Sequence, residues 1–410
     1  MLREIFRPFP RSSALGNTLL AIVAVMTTLG TIMIASASEG QAAFGGSAFS
    51  IMQSDIEWLI IGVVGMYILA VFPLPRLLQL APWILWAVIA LLSVVVLHGT
   101  SVSGGRRWLV LGPFNLQPSE FFKLAVVLMV AAVVSRKRNF IGHGQWLAIT
   151  MLPVLLGLGL IILGNDIGTT SIVGAIAVIM LIAAGISKRQ SLTIAGAGLV
   201  GIGGFIKFKS YSWHRFISFL HPNADLKHLG YQLQQSKIGL GAGYLFGLGY
   251  GQSREKWGLL PNPHTDFIFS IIGEEFGLVG TLVVVGLFVA FLATATKIIG
   301  QCPNDVYRLL AIGVTTWITL EALLNIASVV GFWAITGVPL PFFSYGGSSL
   351  IMELCAVGLL INVANQHKGS APLVLQAQRP PIIKFREIVG NLRPAPAPAP
   401  APERRPVRPR

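Results

Sequence analysis

Charge is what this 410-residue chain has least of. Asp, Glu, Lys and Arg together make up 11% of it, against about 25% in ordinary soluble domains. So few charges cannot cover a water-facing surface, which excludes the soluble globular class. Acidic residues are the scarcer sign, 16 against 30 Lys plus Arg, leaving a formal net charge of +14. Such an excess can mark a nucleic-acid binder, but these basic residues form no single patch interleaved with aromatics and many stand between apolar runs. Nucleic acid is therefore not an expected partner. Cysteine is nearly absent. Cys302 and Cys355 cannot build a disulfide framework and are expected to be free thiols. The seven histidines show no metal-ligand spacing, His214, His221 and His228 being merely evenly placed, so no structural zinc is expected.

What fills the chain instead is apolar: 54% hydrophobic residues and a mean hydropathy of +0.72. Runs of about 17 to 25 apolar residues can cross the roughly 30 Å hydrocarbon layer of a bilayer. Such runs recur almost throughout, giving ten candidate spans that begin near residues 14, 56, 79, 118, 146, 169, 191, 267, 307 and 346. The expected fold is an all-α polytopic membrane protein. Arg3, Arg7 and Arg11 precede the first run, which is too long for a signal-peptide core and is expected to be a retained span. Residues 1–368 then form the ten-span domain, and 369–410 a basic Pro/Ala/Arg-rich tail whose composition cannot build a core.

The basic residues set an orientation. Arg76, Arg136 to Arg138, Lys188, Arg189, Lys297 and Arg308 fall on the side of both termini, which the positive-inside rule makes cytoplasmic. Arg106 and Arg107 fall on the other side, against the trend, and call for a second reason. The longest connection, 207–266, lies between spans 7 and 8 on that same extracytoplasmic side. It is rich in Trp, Tyr, Phe and Gly, unlike a disordered linker, and is expected to fold as a cap on the membrane surface.

Charges at membrane depth are costly, so the few present mark function or a compensating partner. They are Glu120, Lys123, Glu274, Glu275, Glu321 and Glu353. Glu120 and Lys123 are three apart, on one helix face, and can pair. Alternatively, Lys123 joins Arg106 and Arg107 in offering cations to an anionic ligand. Asp266 sits where the long loop meets the eighth span, and two roles are open to it: a helix N-cap, which would lower its pKa, or a general base, which works best with a pKa nearer the operating pH. Gly273 and Gly277, four apart, are expected to let that helix pack closely against a neighbour, with Glu274 and Glu275 against adjacent helices.

Five segments in order then resemble the SEDS family, the FtsW/RodA group of bacterial cell-wall glycan polymerases. They are Gly104-Gly105-Arg106-Arg107-Trp108; Gln117-Pro118-Ser119-Glu120-Phe121-Phe122-Lys123-Leu124; Gly230-Tyr231-Gln232 with Gln235-Ser236; His264-Thr265-Asp266-Phe267-Ile268-Phe269 with Gly273-Glu274-Glu275; and Pro339 to Ser349. The resemblance spans residues 14 to about 368. It implies peptidoglycan glycosyltransfer on lipid II, releasing undecaprenyl pyrophosphate, with Asp266 as the catalytic carboxylate. On the same ground Arg106, Arg107, Lys123, Arg215, Lys237, Gln235, Ser236, Ser344 and Ser348 are expected to bind substrate, and Glu120, Glu274 and Glu275 to support the site. Nearby cations or a divalent metal, Mg or Mn, would steady the leaving pyrophosphate; the metal ligands are unassigned. The implied partner is a class B penicillin-binding protein, a transpeptidase, beside other divisome or elongasome membrane proteins, in the bacterial cytoplasmic membrane.

Two positions depart from the family pattern. Many relatives carry Glu where this chain has Asn262, and Pro where it has Asn165, so the rival carboxylate near Asp266 is missing. Branch signals are mixed: Gly249 to Ser253 with Lys256 resembles the division branch and Thr336 to Pro341 the elongation branch, with the balance toward FtsW and hence the septum. A lipid II flippase and a non-catalytic divisome scaffold are the competing readings.

Overall fold

The computed structural model describes residues 13–42, 48–102, 105–111, 114–137, 144–208, 219 and 229–366. The chain divides into two units, Met1–Lys368 and Gly369–Arg410, and the second lies outside the described residues. In order, the first contains α1 (Ala14–Ala42), α2 (Ala48–Val71), α3 (Leu74–His98), β1 (Thr100–Val102), β2 (Gly105–Leu111), β3 (Phe114–Leu116), α4 (Pro118–Lys137), α5 (Gly144–Leu163), α6 (Ile167–Ala184), α7 (Lys188–Phe208), α8 (Leu229–Ala242), α9 (Ile268–Gln301), α10 (Asp305–Val330) and α11 (Gly347–Ala364).

Among the described residues, eight helices are long and apolar enough to cross a membrane: α1 to α4, α6 and α9 to α11. The expected fifth and seventh spans are helices too, α5 over 20 residues and α7 over 21. The start of α2 corrects the sequence reading by eight residues. Asp55 and Glu57 interrupt the apolar run, so the span was expected from 56, yet the helix runs through both and buries Asp55.

The helices also carry a small sheet that the hydropathy pattern does not signal. Strands β1, β2 and β3 pair antiparallel between α3 and α4, with Ser101 opposite Arg106 and Val110 opposite Asn115. It carries the expected cationic pair on its middle strand, β2.

Lipid offers helices no hydrophobic drive to associate, so close backbone approach and polar bonds must do the work. The α2–α11 contact illustrates this: a Cβ on Gly358 would come within 2.2 Å of the Met66 carbonyl oxygen. Asn362 adds two hydrogen bonds from its amide nitrogen, 2.8 Å to the Leu69 carbonyl and 2.7 Å to that of Phe72. The opposite faces of α2 and α3 expose Ile60, Val64, Ile68, Trp83 and Leu97, as lipid-facing surfaces do.

Helix α9 is broken rather than continuous. Gly277 has φ 65° and ψ −160°, so it ends one helical segment and starts another. The backbone groups freed there pair with the preceding loop: Leu278 N and Val279 N donate to the carbonyls of Tyr244 (2.9 Å) and Leu245 (3.1 Å), while Leu248 N and Gly249 N donate to those of Glu274 (2.9 Å) and Glu275 (3.0 Å). Broken helices survive at membrane depth when freed groups find partners in this way. The expectation that Gly277 shares a packing face with Gly273 is therefore corrected. Gly273 admits Leu240 of α8, 2.5 Å from where a Cβ would stand, whereas Gly277, at the break, admits the loop backbone of Leu245 and Gly247 at 2.5 Å.

Candidate active site

Asp266 lies in a run of turns that precedes α9, and is half-buried. The turn closes on Asn262, whose φ of 54° is a left-handed conformation that Asn tolerates better than most side chains. Thr265 donates to the Asn262 carbonyl from both its amide and its hydroxyl, each at 3.2 Å. Three consecutive carbonyls are then held by donors from elsewhere in the chain. Tyr345 N reaches the His264 carbonyl at 2.8 Å, Ser344 Oγ the Thr265 carbonyl at 2.7 Å, and Asn325 Nδ2 the Asp266 carbonyl at 2.9 Å. Asn325 also donates to Val338 at 2.8 Å, tying the loop before α11 into the same cradle. The N-cap position of α9 is Phe267, which makes no side-chain cap bond. Asp266 stands one residue before it, so the first of its two possible roles is not the position it occupies.

The residues expected to support the site form a second polar knot beside the loop. Glu274 accepts from Ser253 Oγ, from Arg254 N at 2.9 Å and from Glu255 N at 3.3 Å. Glu275 accepts from Ser36 Oγ at 2.6 Å and lies 3.5 Å from Lys256 Nζ, which also contacts Glu39 at 2.6 Å. Glu275 thus meets a neighbouring helix, α1, as expected, but Glu274 meets a loop. Glu255 is buried against both Glu274 and α8, and burial followed by the Glu274 charge pushes its carboxyl up to about 7. Gln235 faces it: with the amide turned so that its nitrogen meets the carboxyl, it donates at 3.2 Å and accepts from Tyr231 at 3.3 Å. Ser236 is a buried tie, donating to the Val329 carbonyl at 2.9 Å and accepting Ser270 on its own carbonyl at 2.7 Å.

Lys123 is placed differently from its expected role. It is fully buried, 2.6 Å from Glu120 and bonded to Glu321, and lies 5.2 Å from the centre of the Trp317 ring. Trp317 Nε1 holds the other Glu321 oxygen at 2.6 Å, and the neighbouring Glu353 accepts from Phe342 N at 2.9 Å. The pair with Glu120 forms as its spacing suggests, but a lysine enclosed by carboxylates is not at a surface where a ligand could reach it.

Arg106 and Arg107 do sit together on β2. Arg106 is exposed and donates weakly to the Val96 carbonyl at 3.4 Å, and Arg107 donates to the Asn165 carbonyl. Both line a small recess with Ser119, Gly164 and Asp166. Asp166 caps α6 through Thr169, at 3.2 Å to its amide and 2.9 Å to its hydroxyl. Ser348, in the first turn of α11, accepts from Gln117 N at 3.0 Å and so links the β3–α4 junction to the loop that cradles Asp266. Lys237 is exposed beside Gly331. Arg215, with His214, His221 and His228, lies outside the described residues.

Asn325, Glu255 and Asp55 were missed by sequence reasoning. A lone amide in an otherwise apolar span is a usable signal for Asn325. Nothing local distinguishes Glu255 from a solvated loop residue. Among the described residues no group of three or more His, Cys, Asp or Glu side chains converges to hold a metal. Cys302 and Cys355 are free.

The geometry defines a polytopic helical membrane protein with one partly exposed aspartate held in a hydrogen-bonded cradle at a helix start. The model of the FtsW/RodA/SpoVE family, described as cell cycle protein, matches residues 17–369, and the chain belongs to that family. It is 34% identical over 375 residues to the probable peptidoglycan glycosyltransferase FtsW of Trichlorobacter lovleyi, covering 89% of this chain and 96% of the relative. The stage V sporulation protein E of Bacillus subtilis is 33% identical over 356 residues, covering 84% and 96%. Among solved structures, one chain of a peptidoglycan synthase complex superposes with a TM-score of 0.68 at 28% identity, over 84% of this chain and 96% of that one. The rod shape determining protein RodA of Thermus thermophilus gives 0.61 at 27%, over 84% and 95%.

Proposed function

We propose that this protein is a peptidoglycan glycosyltransferase that polymerises lipid II at the outer face of the bacterial cytoplasmic membrane, with Asp266 as general base. The observation that carries this reading is the cradle: three carbonyls in succession, His264 to Asp266, each fixed by a separate donor. A carboxylate used for proton transfer must be held within hydrogen-bond reach of the attacking hydroxyl, and a fixed backbone supplies that placement.

In the reaction the 4-hydroxyl of the acceptor sugar attacks the anomeric carbon of the donor, with inversion. Asp266 takes the hydroxyl proton as the new C–O bond forms. The anomeric C–O bond to phosphate breaks, and undecaprenyl pyrophosphate leaves with the electron pair. Arg106, exposed on β2, and Lys237, exposed on α8, are among the described cations open to an anionic leaving group, as is Arg254 of the loop before α9. Arg107 positions the α5–α6 turn through Asn165. Among the described residues no cluster of carboxylates could hold a divalent ion, so such an ion would depend mainly on substrate phosphates. Such an ion would neutralise charge on the leaving group.

Both termini are cytoplasmic on this reading, and the loop ending at Asp266 faces outward. The segment Gly249 to Ser253, with a relative named FtsW, favours the division branch and a septal location. The partner is then a membrane-anchored class B penicillin-binding protein. Purified protein with that transpeptidase should convert lipid II to glycan chains, and Asp266→Asn should abolish conversion while leaving the protein folded. Polymer from the variant would remove Asp266 as base, and transbilayer movement of lipid II in liposomes without polymer would favour a flippase.

A further inference from the structure

We propose that Asp55 of α2 is a positioning residue for the Asp266 loop, acting through Thr31 of α1 and through Tyr345. Helix α2 is the least buried of the eight spans, yet Asp55 is 1% exposed. A carboxylate on a largely lipid-facing helix turns inward only where polar partners meet it. Thr31 of α1 is one such partner, its hydroxyl 3.2 Å from Asp55 Oδ2. Tyr345 lies close enough to α2 that burial and the Asp55 charge hold its hydroxyl above the usual tyrosine range, against the opposing effect of Ser54.

Tyr345 carries the connection to the site. Its amide donates to the His264 carbonyl at 2.8 Å, and its ring centre lies 5.7 Å from that of His264, two residues before Asp266. Helix α1 meets the same loop at the same level. A Cβ on Gly30, next to Thr31, would stand 2.1 Å from the Phe342 carbonyl oxygen. Two helices therefore brace the 342–345 segment from behind, and that segment braces His264 and Thr265. Removing the Asp55 carboxylate frees Thr31 to re-pair and takes away the charge beside Tyr345, so that the 342–345 segment shifts and moves the Asp266 loop with it.

The test rests on the polymerase reading and uses the full chain with its transpeptidase partner. Initial rates are measured against lipid II concentration for wild type, Asp55→Ala, Asp55→Asn, Tyr345→Phe and the Asp55→Ala/Tyr345→Phe double variant. A small displacement of a reacting group lowers turnover more than binding, so Asp55→Ala and Tyr345→Phe should each lower kcat about tenfold with KM unchanged. Because the two act on one element, the double variant should be no slower than the slower single. Asp55→Asn, which keeps an acceptor for Thr31, should recover most of the rate. Hydrogen exchange of the 261–267 amides gives a readout independent of substrate, and Asp55→Ala should speed it. Wild-type kcat in Asp55→Ala, or losses that multiply in the double variant, would overturn the inference. A wild-type protein inactive on lipid II would instead undo the polymerase reading, and unchanged exchange in Asp55→Ala would then undo this one too.

Discussion

The loop around Asp266 and the cluster around Lys123 both place charge within the helical bundle, and they are built in opposite ways. At Lys123 the charges satisfy one another: an ammonium between Glu120 and Glu321, the second Glu321 oxygen held by Trp317, all of it sealed from solvent. At Asp266 neutral donors hold the backbone carbonyls, and the aspartate itself stays partly exposed. An aspartate proposed to take a proton from a substrate needs a side open to it. A charge whose work is to join helices is instead enclosed and paired.

That contrast can be broken by substitution. The largest expected effect is that of Asp266→Asn, loss of all measurable polymerisation with an unchanged melting temperature. Lys123→Met should do the reverse. It strands buried carboxylates, and removing one partner of a buried pair costs about 3–5 kcal/mol, so a thermal melt in detergent should show strong destabilisation. If Lys123→Met instead melted like wild type and lost only activity, the cluster would belong to the chemistry. Asn325→Ala removes one of the three cradle donors. A hydrogen bond lost from a buried acceptor costs about 1–3 kcal/mol, and a fall in kcat that exceeds any loss of folded protein would tie Asn325 to the placement of Asp266.

The smallest effect concerns pH. Glu255 has a folded pKa of about 7, above its ordinary value of 4.5. A carboxyl raised on folding leaves stability intact below its unfolded pKa and removes some as pH rises through the folded one. Wild-type melting temperature should therefore fall between pH 5 and pH 8 relative to Glu255→Gln, which stays neutral throughout. Parallel curves for the two proteins would show that Glu255 titrates normally.

Much of the membrane architecture was legible because lipid imposes length and composition on each span. Nine of the ten expected starts lie within five residues of the observed helices. The failure at α2 has a physical cause. Hydropathy treats Asp55 and Glu57 as a boundary, whereas a helix continues through charged positions when one of them can turn inward to partners on another helix. The same limit hid the break at Gly277, since a glycine that permits close packing and one that adopts a left-handed φ look identical in one dimension.

For the site, the motif around Asp266 could be located from residue order alone, but Lys123 was assigned to a ligand because its enclosure depends on Glu321, 198 residues away. Composition and the order of apolar runs determined that this chain lies in a membrane as a helical bundle, because burial in lipid acts on each segment separately. Which charges are sealed, which helix breaks and what holds Asp266 in place were decided only by tertiary structure, because Ser344, Tyr345 and Asn325 meet the Asp266 loop only once α9, α10 and the segment before α11 have packed together.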